Sequence, residues 1–135
     1  MPGSSLWLMP PAHSPVATLL SSLIAHTIPS HFAQLSPPQF SPHVTLTSEI
    51  DPQLYGDQPQ QWLDQQISCP PGKDLSILFE TLDTEQPFFR KLTIRVSKHP
   101  VLAELAENCR RIGVAKDNGI AQRWVEHDYR PHCSL

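Results

Sequence analysis

One seven-residue pattern occurs twice in this chain, and each copy places a histidine two residues before a hydroxyl. Residues 40–46 read FSPHVTL and residues 129–135 read YRPHCSL. Both copies consist of an aromatic residue, any residue, proline, histidine, any residue, a hydroxyl residue and leucine; we call them the first and second motifs. The chain has seven histidines, and no other is followed by this spacing. Histidine exchanges protons near neutral pH, so the repetition points to acid–base chemistry.

The period of a β-strand gives this spacing a geometric meaning. Proline cannot donate to a β-ladder, so Pro42 and Pro131 suit the first residue of a strand. Residues two apart on a strand point to the same face. Each motif therefore turns its histidine and hydroxyl to a cleft and its apolar residues to a core. In the first motif His43 and Thr45 face the cleft, and Val44 and Leu46 face the core. In the second motif His132 and Ser134 face the cleft, and Cys133 and Leu135 face the core. If the two strands face each other, two imidazoles and two hydroxyls converge on one space.

This set of side chains predicts hydrolysis of a phosphodiester. One imidazole takes a proton from water as the base, and the other protonates the leaving oxygen as the acid. The hydroxyls of Thr45 and Ser134 can hold the non-bridging oxygens and stabilise the charge of the transition state. The motifs contain no carboxylate, so the arrangement requires neither a metal nor another cofactor.

The motifs and their flanks resemble those of the two-histidine (2H) phosphoesterases, whose signature is a pair of His-x-Thr/Ser segments. The narrower resemblance is to the fungal and plant 2′,3′-cyclic-nucleotide 3′-phosphodiesterases. Residues 6–11, LWLMPP, are similar to the Leu-Trp-x-x-Pro opening of fungal members, and residues 40–48, FSPHVTLTS, are similar to their first motif. The second motif follows WVEH at residues 124–127, again as in fungal sequences. The resemblance covers residues 1–135 as a single domain.

The resemblance implies an activity and a role for each site residue. The implied reaction is metal-independent hydrolysis of 2′,3′-cyclic nucleotides to the 2′-phosphate, in the metabolism of RNA and tRNA splicing by-products. ADP-ribose 1″,2″-cyclic phosphate, hydrolysed to the 1″-phosphate, is a second implied substrate. His132 would activate water and His43 would protonate the departing 3′ oxygen. Trp7 would stack on the base and Phe89 would form the opposite wall, although core packing is the alternative for both aromatic residues.

A second class of function stays open beside the enzyme. A non-catalytic nucleotide- or RNA-binding module could keep the same scaffold. Binding alone needs neither both histidines nor both hydroxyls, and all four are present, which favours the enzyme. A histidine metal site is the weakest reading, because two histidines without a carboxylate or cysteine cluster make a poor set of ligands.

Composition limits the partners. The net charge of −3 argues against a long nucleic acid and favours a small nucleotide substrate. Local positive charge is available in the second half of the chain, where the alternative is a solvated charged face: Arg90, Lys91, Arg95, Lys98, Arg110 and Arg111. We expect a monomer.

Cysteines and apolar runs bear on the compartment. The three cysteines have no CxxC spacing, so neither a zinc site nor a disulfide framework is indicated, and Cys133 is expected to point into the core. No apolar run reaches transmembrane length, and the start of the chain lacks a basic leader segment. The default compartment is the cytoplasm, and the resemblance leaves an association with the Golgi open.

Apolar periodicity predicts an α+β fold. The expected order begins with a strand at 6–9, a helix at 16–28 capped by Ser14, a loop at 29–42 and the first motif strand. A helix at 57–67, a hairpin of 75–82 with 88–96 and a helix at 100–112 follow. A polar loop at 116–130 then leads to the second motif strand. Gly113 is expected as a helix C-cap. The resemblance implies antiparallel sheets with outer helices in two lobes, with one motif on each lobe and the cleft between them.

The last residue, Leu135, falls inside the second motif. Members of the resembled family continue past this motif with further strands. We therefore expect a fragment that lacks a C-terminal part, and a last strand that frays because nothing covers it.

Overall fold

The computed structural model describes residues 3–32, 34, 39–71, 74–84 and 92–135. Five strands form one antiparallel sheet in the order β1-β2-β5-β4-β3. The strands are β1 Ser4–Leu8, β2 Val44–Ile50, β3 Phe79–Asp83, β4 Thr93–Val96 and β5 His132–Ser134. The helices are α1 Pro15–Ser22, α2 Ile28–His31, α3 Pro59–Gln66, α4 Pro100–Gly113 and α5 Asn118–His127, and a 3₁₀ turn covers Pro52–Leu54. The predicted α+β class is confirmed.

One face of the sheet carries the core. Its buried residues come from the two motif strands, from β4 and from helices α1 and α4: Leu20, Val44, Leu46, Val96, Leu102, Leu105, Cys109 and Cys133. Full burial of an aliphatic side chain contributes about 1.5–3 kcal/mol each. The core therefore fixes the strands that carry both motifs, and the prediction that Cys133 points inward is confirmed.

The first helix begins as predicted and continues further than expected. The Ser14 hydroxyl accepts a hydrogen bond from the backbone N–H of Ala17 at 3.1 Å, and Pro15 occupies the first helical position. A π-helical turn, Leu23–Thr27, links α1 to α2, so the loop predicted from residue 29 is wrong at its start. Pro29 has no N–H to donate, and in a regular α-helix its ring would clash with the carbonyl four residues earlier. The π-helical turn changes the spacing of the backbone hydrogen bonds just before Pro29 and so accommodates it.

Helix α5 corrects the sequence analysis, which predicted a polar loop over residues 116–130. The Asp117 carboxylate caps the helix by accepting from the backbone N–H groups of Gly119 at 2.7 Å and Ile120 at 3.2 Å. Ala121 and Val125 are buried one turn apart. Polar residues fill most other positions of α5, so its apolar stripe is too narrow to dominate the sequence pattern.

Helix α4 has the predicted extent, but its last residue has another role. His99 is the N-cap, and its Nδ1 accepts from the backbone N–H of Val101 at 3.2 Å, as expected of a capping histidine. Gly113 is the final helical residue, and Val114 is the C-cap. A Cβ atom on Gly113 would lie 2.9 Å from the side chain of Ile50. Glycine is therefore needed there for close packing against β2.

The predicted hairpin forms with a shorter first strand. Strand β3 begins at Phe79 and pairs antiparallel with β4, whereas the sequence predicted a strand from residue 75. The predicted arm at 88–96 is described only from residue 92 onward. Phe89, the predicted second wall of the cleft, lies outside the described residues, as do the candidate cations Arg90 and Lys91.

The two motif strands lie side by side in the sheet. Cys133 of β5 pairs with Val44 of β2 on one side and with Ile94 of β4 on the other. The backbone N–H of Leu135 donates to Leu92 at 3.0 Å. Strand β5 is thus paired on both edges, and fraying of its last residues stays a prediction. The motif strands do not face each other from separate sheets, and the two-lobed arrangement stays a prediction.

Within the described ranges, no helix combines the length and the apolar character needed to cross a bilayer.

Candidate active site

The pairing of Val44 with Cys133 arranges the polar residues of both motifs in a two-by-two block. Neighbours of an antiparallel pair also lie opposite one another, so His43 falls opposite Ser134 and Thr45 opposite His132. Val44 and Cys133 point into the core, and the block therefore occupies the other face of the sheet. Directly opposite Cβ atoms lie about 4.5–5.5 Å apart and diagonal ones about 7–8 Å apart. The two histidines occupy diagonal corners.

Both imidazoles are held by the same backbone contact. The Nδ1 atom of His43 lies 2.7 Å from the carbonyl oxygen of Ser41, and the Nδ1 atom of His132 lies 2.8 Å from that of Arg130. A carbonyl can only accept, so each Nδ1 atom must carry the proton of the bond. Each Nε2 atom is then left to exchange a proton with a substrate. This arrangement fits general acid–base chemistry.

Aromatic rings surround the first of these imidazoles. Trp7 stacks on His43 with ring centroids 3.7 Å apart and planes within 11°. Phe40 approaches the same imidazole edge-on at 6.4 Å. Trp7 also pairs with Thr45 in the β1–β2 register and remains 47% exposed. The predicted site residue Trp7 therefore borders the block, with part of its indole open to solvent.

Tyr129 of the second motif holds the backbone of the first. Its hydroxyl donates to the Thr45 carbonyl at 2.8 Å, and its ring stacks on Trp124 at 5.0 Å. Burial raises the pKa of the Tyr129 hydroxyl, so the donor keeps its proton throughout the neutral range. The aromatic residue of the motif was not expected to have this role. Nothing in the residue spacing shows that this hydroxyl reaches the other motif.

Arg110 supports β2 and does not face the block. Its guanidinium lies 4.6 Å from the centre of the Trp124 ring. It donates to the Thr47 hydroxyl and to the Ser48 carbonyl, both at 3.3 Å, and forms an ion pair with Glu49 at 3.4 Å. The structure thus assigns this candidate substrate cation to the scaffold.

Cavities connect only some members of the block. Thr45 and His132 line one recess of about 170 Å³ together with Trp124 and Tyr129. His43 lines a separate, mostly apolar cavity of about 380 Å³. Ser134 belongs to neither cavity, and the strand register alone joins it to the other three. The recess thus brings together the Thr45 hydroxyl of the first motif and the His132 imidazole of the second.

Arg95 is the cation that the sheet brings to the site. It pairs with His132 in the β4–β5 register, so the two side chains share a face. An ion pair with Asp83, at 2.7 Å, orients the guanidinium. Arg95 was one of six candidate cations in the sequence. Only the strand register singles it out.

The buried cysteines are poor nucleophiles. Burial raises the pKa of the Cys109 thiol to about 12. Burial also raises the pKa of Cys133, against a smaller opposing effect of a backbone hydrogen bond from His43. Across the part of the chain that the structure describes, no three histidine, cysteine or acidic side chains gather as a metal site. The histidines and hydroxyls remain the reactive groups of the block.

Comparisons with known proteins agree with this geometry. The family described as cyclic phosphodiesterase-like protein matches residues 1–135. A relative from Phaeosphaeria nodorum is 43% identical over 136 residues, covering 100% of this chain and 68% of the relative. Relatives from Neurospora crassa and Yarrowia lipolytica are 37% and 30% identical, covering 100% and 98% of this chain and 70% and 72% of their own lengths. All three are named 2′,3′-cyclic-nucleotide 3′-phosphodiesterase. The chain belongs to the cyclic phosphodiesterase-like family.

Proposed function

We propose that this protein hydrolyses 2′,3′-cyclic nucleotides to nucleoside 2′-phosphates without a metal ion. The observation that carries the proposal is the matched pair of imidazoles, each fixed through Nδ1 to a carbonyl two residues earlier. The register sets the two rings diagonally across a block that includes two hydroxyls. The names of the relatives point to the same reaction.

The reaction would be an in-line displacement at phosphorus. Nε2 of His132 takes a proton from water as the water oxygen attacks the phosphorus. The bond from phosphorus to the 3′ oxygen breaks, and Nε2 of His43 gives its proton to that oxygen. The product keeps the phosphate on the 2′ oxygen. The indole of Trp7 stacks on the His43 ring, which holds this imidazole in place for the proton transfer.

The hydroxyls of Thr45 and Ser134 would bind the two non-bridging oxygens. Each lies opposite the histidine of the other motif in the register. Each motif therefore supplies one group for proton transfer and one group for phosphate binding. Hydroxyl donors aimed at a phosphate stabilise the charge that builds on its oxygens in the transition state. We assign them to this role.

The nucleoside would lie beside β1. The exposed part of Trp7 offers a ring face on which any base can stack, and we keep Phe89 as the proposed second wall. A local two-fold axis passes between Val44 and Cys133. We propose that this axis relates the two lobes expected for the family, with the first motif on one side and the second on the other.

We further propose small substrates from RNA processing. Nucleoside 2′,3′-cyclic phosphates and ADP-ribose 1″,2″-cyclic phosphate both present a five-membered cyclic phosphate on a ribose edge. The block recognises the phosphate and its two ring oxygens, so it accepts either. By-products of tRNA splicing are the proposed source, and a monomer is the proposed active form.

The test is hydrolysis of adenosine 2′,3′-cyclic phosphate with and without excess EDTA, with the product identified by chromatography. We expect adenosine 2′-phosphate at an unchanged rate in EDTA. Loss of activity in EDTA would overturn metal independence, and a 3′-phosphate product would overturn the assignment of the leaving oxygen. Tight binding without turnover would favour the nucleotide-binding module. His127→Ala is the matched control, because His127 is exposed on α5 and takes no part in the block.

A further inference from the structure

The recess beside Thr45 and His132 contains space that the proposed reaction leaves unassigned. Its volume is about 170 Å³, below the range of about 300–1,000 Å³ that is usual for small-molecule sites. One water occupies about 30 Å³ of the liquid, so the recess can hold a few waters but is too small for a nucleoside. Among the described residues that line it, the one carboxylate is that of Asp128.

The recess lies on the side of the block away from His43. Its wall includes β2 from Thr45 to Ser48, whereas His43 lines the separate apolar cavity. In an in-line displacement the attacking and leaving oxygens lie on opposite sides of the phosphorus. In the proposed reaction His43 protonates the leaving 3′ oxygen, and His132 takes a proton from water. The water must therefore approach the phosphorus from the His132 side, where the recess lies.

Backbone contacts hold Asp128 at the end of α5. It is the C-cap residue of this helix, and its N–H donates to the Trp124 carbonyl at 2.8 Å. The next residue, Tyr129, donates its hydroxyl to the Thr45 carbonyl at 2.8 Å. The segment that carries Asp128 is therefore anchored directly to the first motif.

The Asp128 carboxylate is unfavourable for the stability of α5. The C-terminal end of a helix carries partial negative charge, which repels an acidic side chain. The side-chain ion pairs within the described ranges are those of Arg95 and Arg110, so no cation of these ranges pairs with Asp128. The side chain is exposed, and an ionised carboxylate accepts several hydrogen bonds. A residue that breaks a local rule of stability is expected at a functional site.

We infer that the recess holds the attacking water and that Asp128 orients this water for the reaction. The inference rests on the proposed function and adds a residue to it. Nε2 of His132 takes one proton of the water, and the Asp128 carboxylate accepts a hydrogen bond from the other O–H group. That hydrogen stays on the oxygen, which bonds to phosphorus as the bond to the 3′ oxygen breaks. Two acceptors together direct a lone pair of the water toward the phosphorus.

The first test measures hydrolysis of adenosine 2′,3′-cyclic phosphate by Asp128→Asn, which keeps the side-chain shape and removes the charge. Its kcat should fall by roughly 10- to 100-fold without a rise in KM, because a misdirected nucleophile slows the chemical step. Its melting temperature should not fall, since the unfavourable charge at the helix end is gone. Glu126→Gln removes the same charge from an exposed residue of α5, whose carboxylate accepts from Gln122 at 3.1 Å. This control should keep the wild-type kcat.

A competing nucleophile provides a readout that a purely structural role would not change. In a mixture of water and methanol, attack by methanol yields the methyl ester of adenosine 2′-phosphate beside the free 2′-phosphate. Asp128→Ala enlarges the recess next to the attacking oxygen, so the proportion of methyl ester should rise several-fold over that of the wild type. Glu126→Gln should leave this proportion unchanged.

Two results would overturn the inference and leave the proposed function intact. One is the wild-type kcat in Asp128→Asn, and the other is the wild-type proportion of methyl ester in Asp128→Ala. Equal changes in Glu126→Gln would also overturn the inference, because the effect would then come from net charge. If the wild-type protein formed no adenosine 2′-phosphate, the proposed function would fail and the inference would fail with it.

Discussion

The first and second motifs share a backbone plan but lie in opposite surroundings. In both, the histidine Nδ1 contacts the carbonyl two residues earlier, and the residue after the histidine is buried in the core. His43 then packs among aromatic rings, whereas His132 lies opposite Arg95 on β4 and lines a cavity with three cationic side chains. The strand and its carbonyl contact set the orientation of each imidazole. The neighbouring strand sets its electrostatic environment, and this division allows two similar segments to take different roles.

The two motifs also differ in what their aromatic residues do. Phe40 approaches its own histidine edge-on, while Tyr129 reaches across to the Thr45 backbone. The second motif therefore helps to position the first. Substitutions of the histidines and hydroxyls that both motifs share test whether the two motifs act together. Substitutions that make the second motif more like the first test what its different residues contribute.

The largest expected effect comes from removing either imidazole. His43→Ala and His132→Ala should each lower kcat by roughly 10²–10⁴. The wild-type pH–rate profile should be bell-shaped, because the base must be deprotonated and the acid protonated. His132→Ala should lose the rise on the acidic side, and His43→Ala the fall on the alkaline side. Exchanged limbs would reverse the two assignments, and near-normal turnover in one variant would rule out a two-histidine mechanism.

The hydroxyls should matter next. Thr45→Val keeps the side-chain shape and Ser134→Ala is a small truncation, yet each should cost about 2–4 kcal/mol of transition-state stabilisation. Thr45→Ser and Ser134→Thr keep a hydroxyl and should be mild. Steady-state kinetics with matched thermal unfolding separates this loss from misfolding. If Thr45→Val were as active as the wild type, Thr45 would only pack within β2.

The strand period made the members of the block predictable, because spacing by two residues along a strand is a local property of the sequence. His43, Thr45, His132 and Ser134 follow from it, as does the inward direction of Cys133. Trp7 came from the resemblance, and its contact with His43 supports a place at the site. The sequence also predicted the capped start of α1 and the extent of α4, since caps and apolar stripes are local as well.

The sequence could not predict which strands are neighbours in the sheet, because strand pairing joins residues that are far apart in the chain. The β2–β5 pairing turned two expected facing strands into adjacent ones, and the β4–β5 pairing selected Arg95. The Tyr129 contact with Thr45 depends on the same arrangement. Helix α5 was missed for another reason: its Asp117 cap and narrow apolar stripe are weak signals within a polar segment.

Tyr129→Phe makes the second motif resemble the first and removes one hydrogen bond. The Thr45 carbonyl loses its donor, which should lower the free energy of unfolding by about 1 kcal/mol. If Tyr129 positions Thr45, kcat should fall while KM changes little. Urea unfolding and steady-state kinetics on the same preparation test this expectation. A loss of stability with full kcat would restrict Tyr129 to packing.

Alkaline pH should probe the same contact. An unfolded tyrosine ionises near pH 10, and burial raises the pKa of Tyr129 in the fold. Unfolding above about pH 10 therefore releases a proton, and this contribution to stability is lost as the pH rises toward the folded pKa. The difference in unfolding free energy between wild type and Tyr129→Phe should shrink above pH 10. A constant difference would mean that this hydroxyl ionises equally well in both states.

Cys133→Val should have the smallest effect, because it gives the second motif the residue that the first already has. Cys133 and Val44 pair in the core, and the Cys133 thiol makes only a weak contact with the Ser134 carbonyl at 3.8 Å. Valine is only one heavy atom larger than cysteine, so the swap should cost less than about 1.5 kcal/mol, with kcat/KM almost unchanged. Cys133→Ser is the matched control: it buries a hydroxyl and should cost about 1–3 kcal/mol if that group finds no partner. Inactivation by Cys133→Val with normal stability would show that the sulfur beneath the block does more than fill space.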